Sequence, residues 1–136
     1  QLAQQSSQSV LGLVDELVSS ATDVEGTRIV AYAPEKAGRD TLRELIDQIR
    51  AKASPVAILL GTVIDDKVAL TAGISKDLVK RGVSASDCVK AAAKVVGGGG
   101  GGRVDLAEAG GRLPEKLDAA LAEGADYYRS KLRASS

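Results

Sequence analysis

Histidine, methionine, tryptophan and phenylalanine are all missing from this 136-residue chain, and cysteine occurs once. Each absence removes a class of chemistry. Without histidine there is no Ser-His or Cys-His pair to activate a nucleophile, and a lone cysteine cannot assemble a zinc site of ordinary nitrogen and sulfur ligation. Cys88 cannot form an internal disulfide. Its flanks, Ser86-Asp87-Cys88-Val89, suit a small apolar side chain on a helix face, so it reads as a plain core thiol. A reducing, cytoplasmic setting fits that usage. The only aromatics are Tyr32, Tyr127 and Tyr128, which leaves valine, leucine, isoleucine and alanine to build a core and makes platforms for stacking nucleobases scarce. No apolar run approaches the roughly 20 residues that span a bilayer and no signal peptide is visible, so no membrane partner is expected. The missing initiator methionine reads as an excised or processed chain.

What is present bounds the fold. Hydrophobic residues make up 44 % of the sequence, enough for one domain with a proper core and an appended element, and the chain is too short for two full enzyme domains. The net charge of zero hides a segregation. Residues 1–66 carry ten acids and six bases (−4), residues 67–103 two acids and seven bases (+5), and residues 104–136 six acids and five bases (−1). The middle third is therefore a basic band: Lys67, Lys76, Lys80, Arg81, Lys90, Lys94 and Arg103. A solvated surface is the plain reading of such clustering, and an anion-binding face the functional one.

Along the chain, Ala3, Val10, Val14, Leu17, Val18 and Ala21 recur at helical spacing, so residues 2–22 form an amphipathic helix whose stripe packs either on its own domain or on a second copy or upstream domain. Residues 23–136 form the globular part. Asp23 to Gly26 reads as a turn and Arg28 to Ala33 as a strand closed by Pro34. A helix follows, with Leu42, Leu45, Ile46 and Ile49 on one face and Arg39, Arg43, Glu44, Asp47 and Arg50 turned to water. Val56-Ala57-Ile58-Leu59-Leu60 is a continuous apolar run, as expected of a strand buried on both faces. Val63-Ile64 and Lys67 to Ala72 flank Asp65-Asp66, which predicts a hairpin. After a short helical turn at Lys76 to Lys80, Ser84 stands as an N-cap with Asp87 three residues on, and the helix runs to Val96 with Lys90 and Lys94 on one face. Arg103 to Ala109 returns as a strand. Leu113-Pro114-Glu115 opens the last helix, with the stripe Leu113, Leu117, Ala120, Leu121, Gly124, Tyr128 and Leu132 and fraying from Ser130 to Ser136. The order is an N-terminal amphipathic helix, then β-α-β-β-α-β-α: an α/β sandwich with a mixed sheet.

The stretch from Gly97 to Gly111 holds eight of the fifteen glycines, six of them consecutive. A flexible hinge is one reading. Regular elements on both sides, and an arginine where flexible linkers use serine, favour an ordered backbone that something approaches closely. The run follows a helix C-terminus, so it is not a phosphate loop of the kind that needs glycines before a helix N-terminus and a Gly-Lys-Ser/Thr ending.

Residues 100–111, Gly-Gly-Gly-Arg-Val-Asp-Leu-Ala-Glu-Ala-Gly-Gly, resemble the glycine-rich signature GGGRPD(M/F)AQAGG near the carboxyl end of bacterial-type alanine–tRNA ligase. The elements from about Val24 to Leu132 also resemble that enzyme's C-terminal domain, which is related to the substrate-binding domain of the DHH phosphoesterases. Val104 replaces the usual proline and Leu106 the usual methionine or phenylalanine, both keeping the segment apolar and extended. Glu108 replaces the usual glutamine and adds a negative charge, which sets that position against a direct phosphate contact.

The resemblance implies a noncatalytic module that engages the elbow of tRNA, alanine-specific by expectation, and bridges the aminoacylation and editing domains of the parent chain. A homodimer through residues 2–22 is a further expectation. No cofactor is implied for this segment, since ATP and zinc belong to the parent enzyme's other domains. The candidate RNA-binding residues are Lys90, Lys94, Gly98, Gly99, Gly100, Gly101, Gly102 and Arg103, with Lys76, Lys80 and Arg81 as an outer ring of charge. Bare glycine backbone allows a sugar-phosphate surface or a flat base pair to approach, and lysine and arginine supply phosphate attraction. On this reading Gly100→Val weakens binding and leaves the fold nearly intact. The alternatives are a structural or oligomerisation domain carried by residues 2–22, and the nucleotide-gripping half of a DHH-type phosphoesterase. The latter needs metal-binding aspartates and histidines from a partner domain, and its loop usually carries histidine after the glycines where this chain has Arg103.

Overall fold

The computed structural model describes residues 12, 14–19, 21–24, 26–34, 38–53 and 55–134. Helix α1 occupies 14–19. It is followed by β1 (Thr22–Val24), β2 (Thr27–Tyr32), α2 (Arg39–Ala53), β3 (Val56–Ile64), β4 (Lys67–Ile74), α3 (Lys76–Lys80), α4 (Ala85–Val95), β5 (Gly99–Gly102) and β6 (Leu106–Gly111). A single 3₁₀ turn (Pro114–Lys116) then leads into α5 (Leu117–Ala134). The six strands form one sheet in the order β1-β2-β3-β4-β6-β5. Only β2 and β3 run parallel, joined through α2, and every other pair is antiparallel, so the sheet is mixed, as the element order predicts.

Side-chain alternation divides the core into two layers. Val30, Val56, Ile58 and Leu60 meet Val14 and Leu17 of α1 and Leu42, Leu45, Ile46 and Ile49 of α2. Ile29, Ala57, Leu59, Leu70, Ala72 and Ile74 meet α4 and α5 on the opposite face. Residues 56–60 of β3 are wholly buried because helices cover both faces, which is why that run shows no polar alternation. Val14 and Leu17 join the α2 layer, so this part of the N-terminal stripe packs on its own domain. Residues 1–11 of the proposed amphipathic segment lie outside the described residues.

Local signals act as their chemistry requires. Asp65 (φ 52°) and Asp66 (φ 63°) both take the left-handed conformation of a two-residue hairpin, which aspartate tolerates better than most side chains. Ser84 caps α4, its hydroxyl accepting a hydrogen bond from the Asp87 amide at 3.2 Å.

Four expectations need correction. The Asp23–Gly26 turn is there, with the Gly26 amide donating to Asp23 Oδ1 at 3.1 Å, but it joins two paired strands, and β1 carries no sequence signal because only Val24 of its three residues faces the core. The chain does not fray from Ser130, since α5 continues to Ala134 and Leu132 is fully buried; residues 135–136 lie outside the described residues. The returning strand begins at Leu106, not Arg103, because Arg103 to Asp105 form the turn after β5. Arg50 is not turned to water: its guanidinium donates to the carbonyls of Ile74 (3.4 Å) and Asp105 (3.2 Å), tying α2 to the turn that precedes β6.

Candidate nucleic-acid interface

The glycine run divides between a helix terminus and a strand. Helix α4 ends at Val95 with Val96 as its C-cap, and Gly97 adopts φ 70°, so the Gly97 amide donates to the Lys94 carbonyl (3.3 Å) and the Gly98 amide to the Ala93 carbonyl (2.9 Å). This is the Schellman arrangement, which satisfies carbonyls the helix cannot and turns the chain back along α4. Gly99–Gly102 then form β5, the last strand of the sheet, paired with β6 from Gly99↔Gly110 to Gly102↔Ala107. The run is therefore an ordered strand, and as the outermost one it leaves a backbone edge without a strand partner among the described residues.

Two alternating rows of glycines do different work. A methyl group placed on Gly98, Gly100 or Gly102 would collide with β6 itself: with Gly110 and Gly111 (Cα 2.6 Å), with Glu108 and Ala109, and with Ala107 (Cα 2.8 Å) respectively. This row points sideways into the partner strand, and a side chain there would prevent pairing. The other row is different. A methyl on Gly99 would meet nothing within 4 Å, and one on Gly101 would meet Lys90 Cε at 3.3 Å and Ser86 Oγ at 3.5 Å. Gly100→Val therefore strikes the fold, contrary to the expectation above, and Gly99 is the position that probes the surface alone.

The structure brings some predicted cations to this strand and removes others. Lys90 and Lys94 are exposed on α4, which lies across β5, and the Lys90 stem lies beside Gly101. Arg103 is exposed in the turn between β5 and β6, whose backbone is pinned by Ala85 N–H to the Val104 carbonyl (2.7 Å) and Ile74 N–H to the Asp105 carbonyl (3.1 Å). Lys76 and Lys80 are exposed on α3, which follows β4 directly. Arg81 reaches the other side of the molecule, where its guanidinium donates to Thr27 Oγ1 (3.3 Å) and to the Leu132 carbonyl (3.4 Å). Thr27 lies on β2, four strand spacings from β5, or about 19 Å. Arg81 thus ties β2 to α5.

Two further cations come from the face of α2 that the sequence turns to water. Arg39 and Arg43, about half exposed, reach Glu108 of β6 at 3.8 and 3.6 Å. Their i, i+4 spacing put them on one helix face. Nothing in the sequence said that this face overlooks the glycine ribbon.

The one thiol is held away from chemistry. Cys88 is fully buried between α4 and α5, its Sγ 3.7 Å from the Gly124 carbonyl, and burial pushes its pKa up to about 12. Tyr128 is likewise buried, donating to the Ile58 carbonyl at 2.7 Å, and burial raises its hydroxyl well above the usual range. Both are core groups, as the sequence suggests for Cys88.

Comparison with known proteins defines the class first. The DHHA1 domain family model matches residues 25–130. An exopolyphosphatase-related protein from Bacteroides fragilis shares the fold at TM-score 0.55 and 12 % identity, over 92 % of this chain and 36 % of that one. More specific likeness follows. Alanine–tRNA ligase of Bacillus velezensis is 42 % identical over 126 residues, 91 % of this chain and 14 % of the relative, and that of Hydrogenovibrio crunogenus is 46 % identical over 122 residues, 90 % and 14 %. The crystal structure of the C-Ala domain from Aquifex aeolicus alanyl-tRNA synthetase superposes with TM-score 0.71 at 28 % identity, covering 81 % of this chain and 98 % of that one. The chain belongs to the DHHA1 domain family, and its kind within it is the C-terminal domain of alanine–tRNA ligase. It spans about one-seventh of the length of the curated relatives it matches.

Proposed function

We propose that this domain is the noncatalytic tRNA-binding module of an alanine–tRNA ligase, laying β5 and its flanking cations against the elbow of tRNA and so helping one tRNA reach both the aminoacylation and the editing domains of the longer protein. The observation that carries this reading is the exposed glycine strand with Lys90 and Lys94 beside it and Arg103 at its end. A strand without side chains offers peptide groups and flat surface to a sugar-phosphate backbone or a terminal base pair, and the cations supply attraction without reading sequence. With only three tyrosines in the chain, one of them fully buried, base stacking contributes little. Lys76 and Lys80 form an outer, longer-range part of the field. Arg81 contributes to it weakly, since its guanidinium is spent on Thr27 and Leu132. Pairing of two copies through residues 2–22 would not use Val14 or Leu17, which are buried in the domain itself.

Replacing Lys90, Lys94 and Arg103 together by alanine should weaken tRNA binding and flatten the dependence of log K on log salt by roughly two to three, close to one per lost phosphate contact. An unchanged slope excludes this surface. Titrating alanine-specific tRNA, an unrelated tRNA and a tRNA lacking its folded corner separates the modes of recognition. Equal affinity for the first two and loss with the third marks elbow recognition, whereas equal affinity for all three reduces the interaction to charge alone.

A further inference from the structure

The two faces of the glycine ribbon are not equivalent. On the α4 face neither Lys90 nor Lys94 forms an ion pair among the described residues. On the α2 face Arg39 and Arg43 converge on a single carboxylate, Glu108. We propose that Arg39 and Arg43 form a second phosphate-binding site on the α2 side of β5 and β6, and that Glu108 occupies it as an internal anion until a phosphate of the bound nucleic acid displaces it. The proposal rests on the reading of the domain as an RNA-binding module.

Three features support it. The ion pairs are loose: 3.8 and 3.6 Å are charge-pairing distances and not hydrogen bonds, so the guanidinium donors keep their capacity for a phosphate. All three side chains are solvated, at 50, 52 and 36 % exposure, and such surface pairs are worth about 0–1 kcal/mol, so little is lost when a phosphate takes the place of the carboxylate. Gly110 contributes no side chain beneath the site, where a methyl group would lie 3.2 Å from the Val68 carbonyl oxygen and 3.8 Å from Arg39 Nη2. Arg50, further along α2, is held by Asp47 and by the Ile74 and Asp105 carbonyls and is a support for the adjacent turn, not a member of the site. Asp40, Glu44, Asp47 and Gln48 line a groove along α2 that Arg43 also borders, so the carboxylates of α2 lie near the site without reaching into it as Glu108 does. The consequence is a two-sided grip: an RNA backbone resting on the β5 edge meets lysines from one face of the sheet and arginines from the other, and Glu108 sets how much of the second half is available.

The test is a set of charge-matched variants of the domain. Glu108→Gln keeps shape and removes the internal anion; affinity for tRNA should rise on the order of fivefold, the effect of one charge a few ångströms from a phosphate in water, and the salt slope should steepen by about one. Glu123→Gln makes the same charge change on α5, across the sheet from α2, and should leave affinity within about twofold of the parent. In an Arg39→Ala/Arg43→Ala background, Glu108→Gln should have no effect. A gain no larger than that of Glu123→Gln, or one that survives loss of both arginines, overturns the proposal. A readout that needs no RNA distinguishes this failure from failure of the functional reading. Inorganic pyrophosphate is titrated while the Nε–H resonances of Arg39 and Arg43 are followed by NMR, and they should shift at lower concentration in Glu108→Gln than in the parent. If neither protein responds, no anion site exists there, whatever the domain does with tRNA. If pyrophosphate binds and tRNA does not, the site stands and the RNA reading falls.

Discussion

Strands β3 and β5 lie in one sheet and are held in it by opposite means. In β3, Val56 to Leu60 bury every side chain between α2 on one face and α4 and α5 on the other, so removal of apolar area from water fixes the strand. In β5 there are no side chains, and what holds the strand is pairing with β6, the Schellman turn at Gly97 and the cover of α4 on one face. A central strand specifies itself by what it buries. An edge strand of glycine is specified by its neighbours, and is free to present backbone to a partner. That freedom is what the proposed RNA contact uses.

The comparison can be broken at several points, beginning with the largest effect. Leu59→Ala empties a fully buried site against α5 and should cost about 2–5 kcal/mol in denaturant unfolding, whereas no truncation is even possible in β5. Gly100→Val should cost about 1–3 kcal/mol, because the new side chain is driven into Glu108 and Ala109; a stability equal to the parent's would show that β5 pairs less closely with β6 than described. High pH attacks the core and spares the edge. Cys88 in the folded chain has its pKa raised to about 12 from an ordinary 9.0, so the stabilisation is complete below the unfolded value and is lost as pH climbs between the two. Stability should fall by about 1.4 kcal/mol per pH unit over that window, and Cys88→Ala should remove this part of the slope and leave the part due to Tyr128. Gly99→Val should have the smallest effect on folding, within about 1 kcal/mol, because nothing stands where its side chain would go. Its effect should be on tRNA affinity, weakened severalfold, and unchanged affinity would mean that close approach to this backbone is irrelevant.

Much of the architecture was legible because the relevant signals are local. The apolar run of β3, the Asp65-Asp66 hairpin, the Ser84 cap and the stripe of α5 each announce themselves within a few residues, and each is found where expected. β1 was missed because three residues with one buried side chain give no periodicity. β5 was missed because strand signals come from side chains, and glycine has none. Among site residues, Lys90 and Lys94 were legible through their i, i+4 spacing next to the run. The inward turn of Arg81 and the reach of Arg39 and Arg43 toward Glu108 depend on contacts between residues 51 to 69 positions apart, which no short window contains.

Sequence alone determined the chemistry this chain can carry: no histidine and one thiol, a core of small aliphatic residues, a basic middle third, and a glycine signature specific enough to point to its relatives. Only the tertiary structure decided that the glycines form an edge strand, that alternate members of the run serve pairing and exposure, and that cations from two distant helices flank it. The physical reason is that residue type fixes what a group can do, whereas its neighbours across the sheet decide whether it is buried, paired or left open to a ligand.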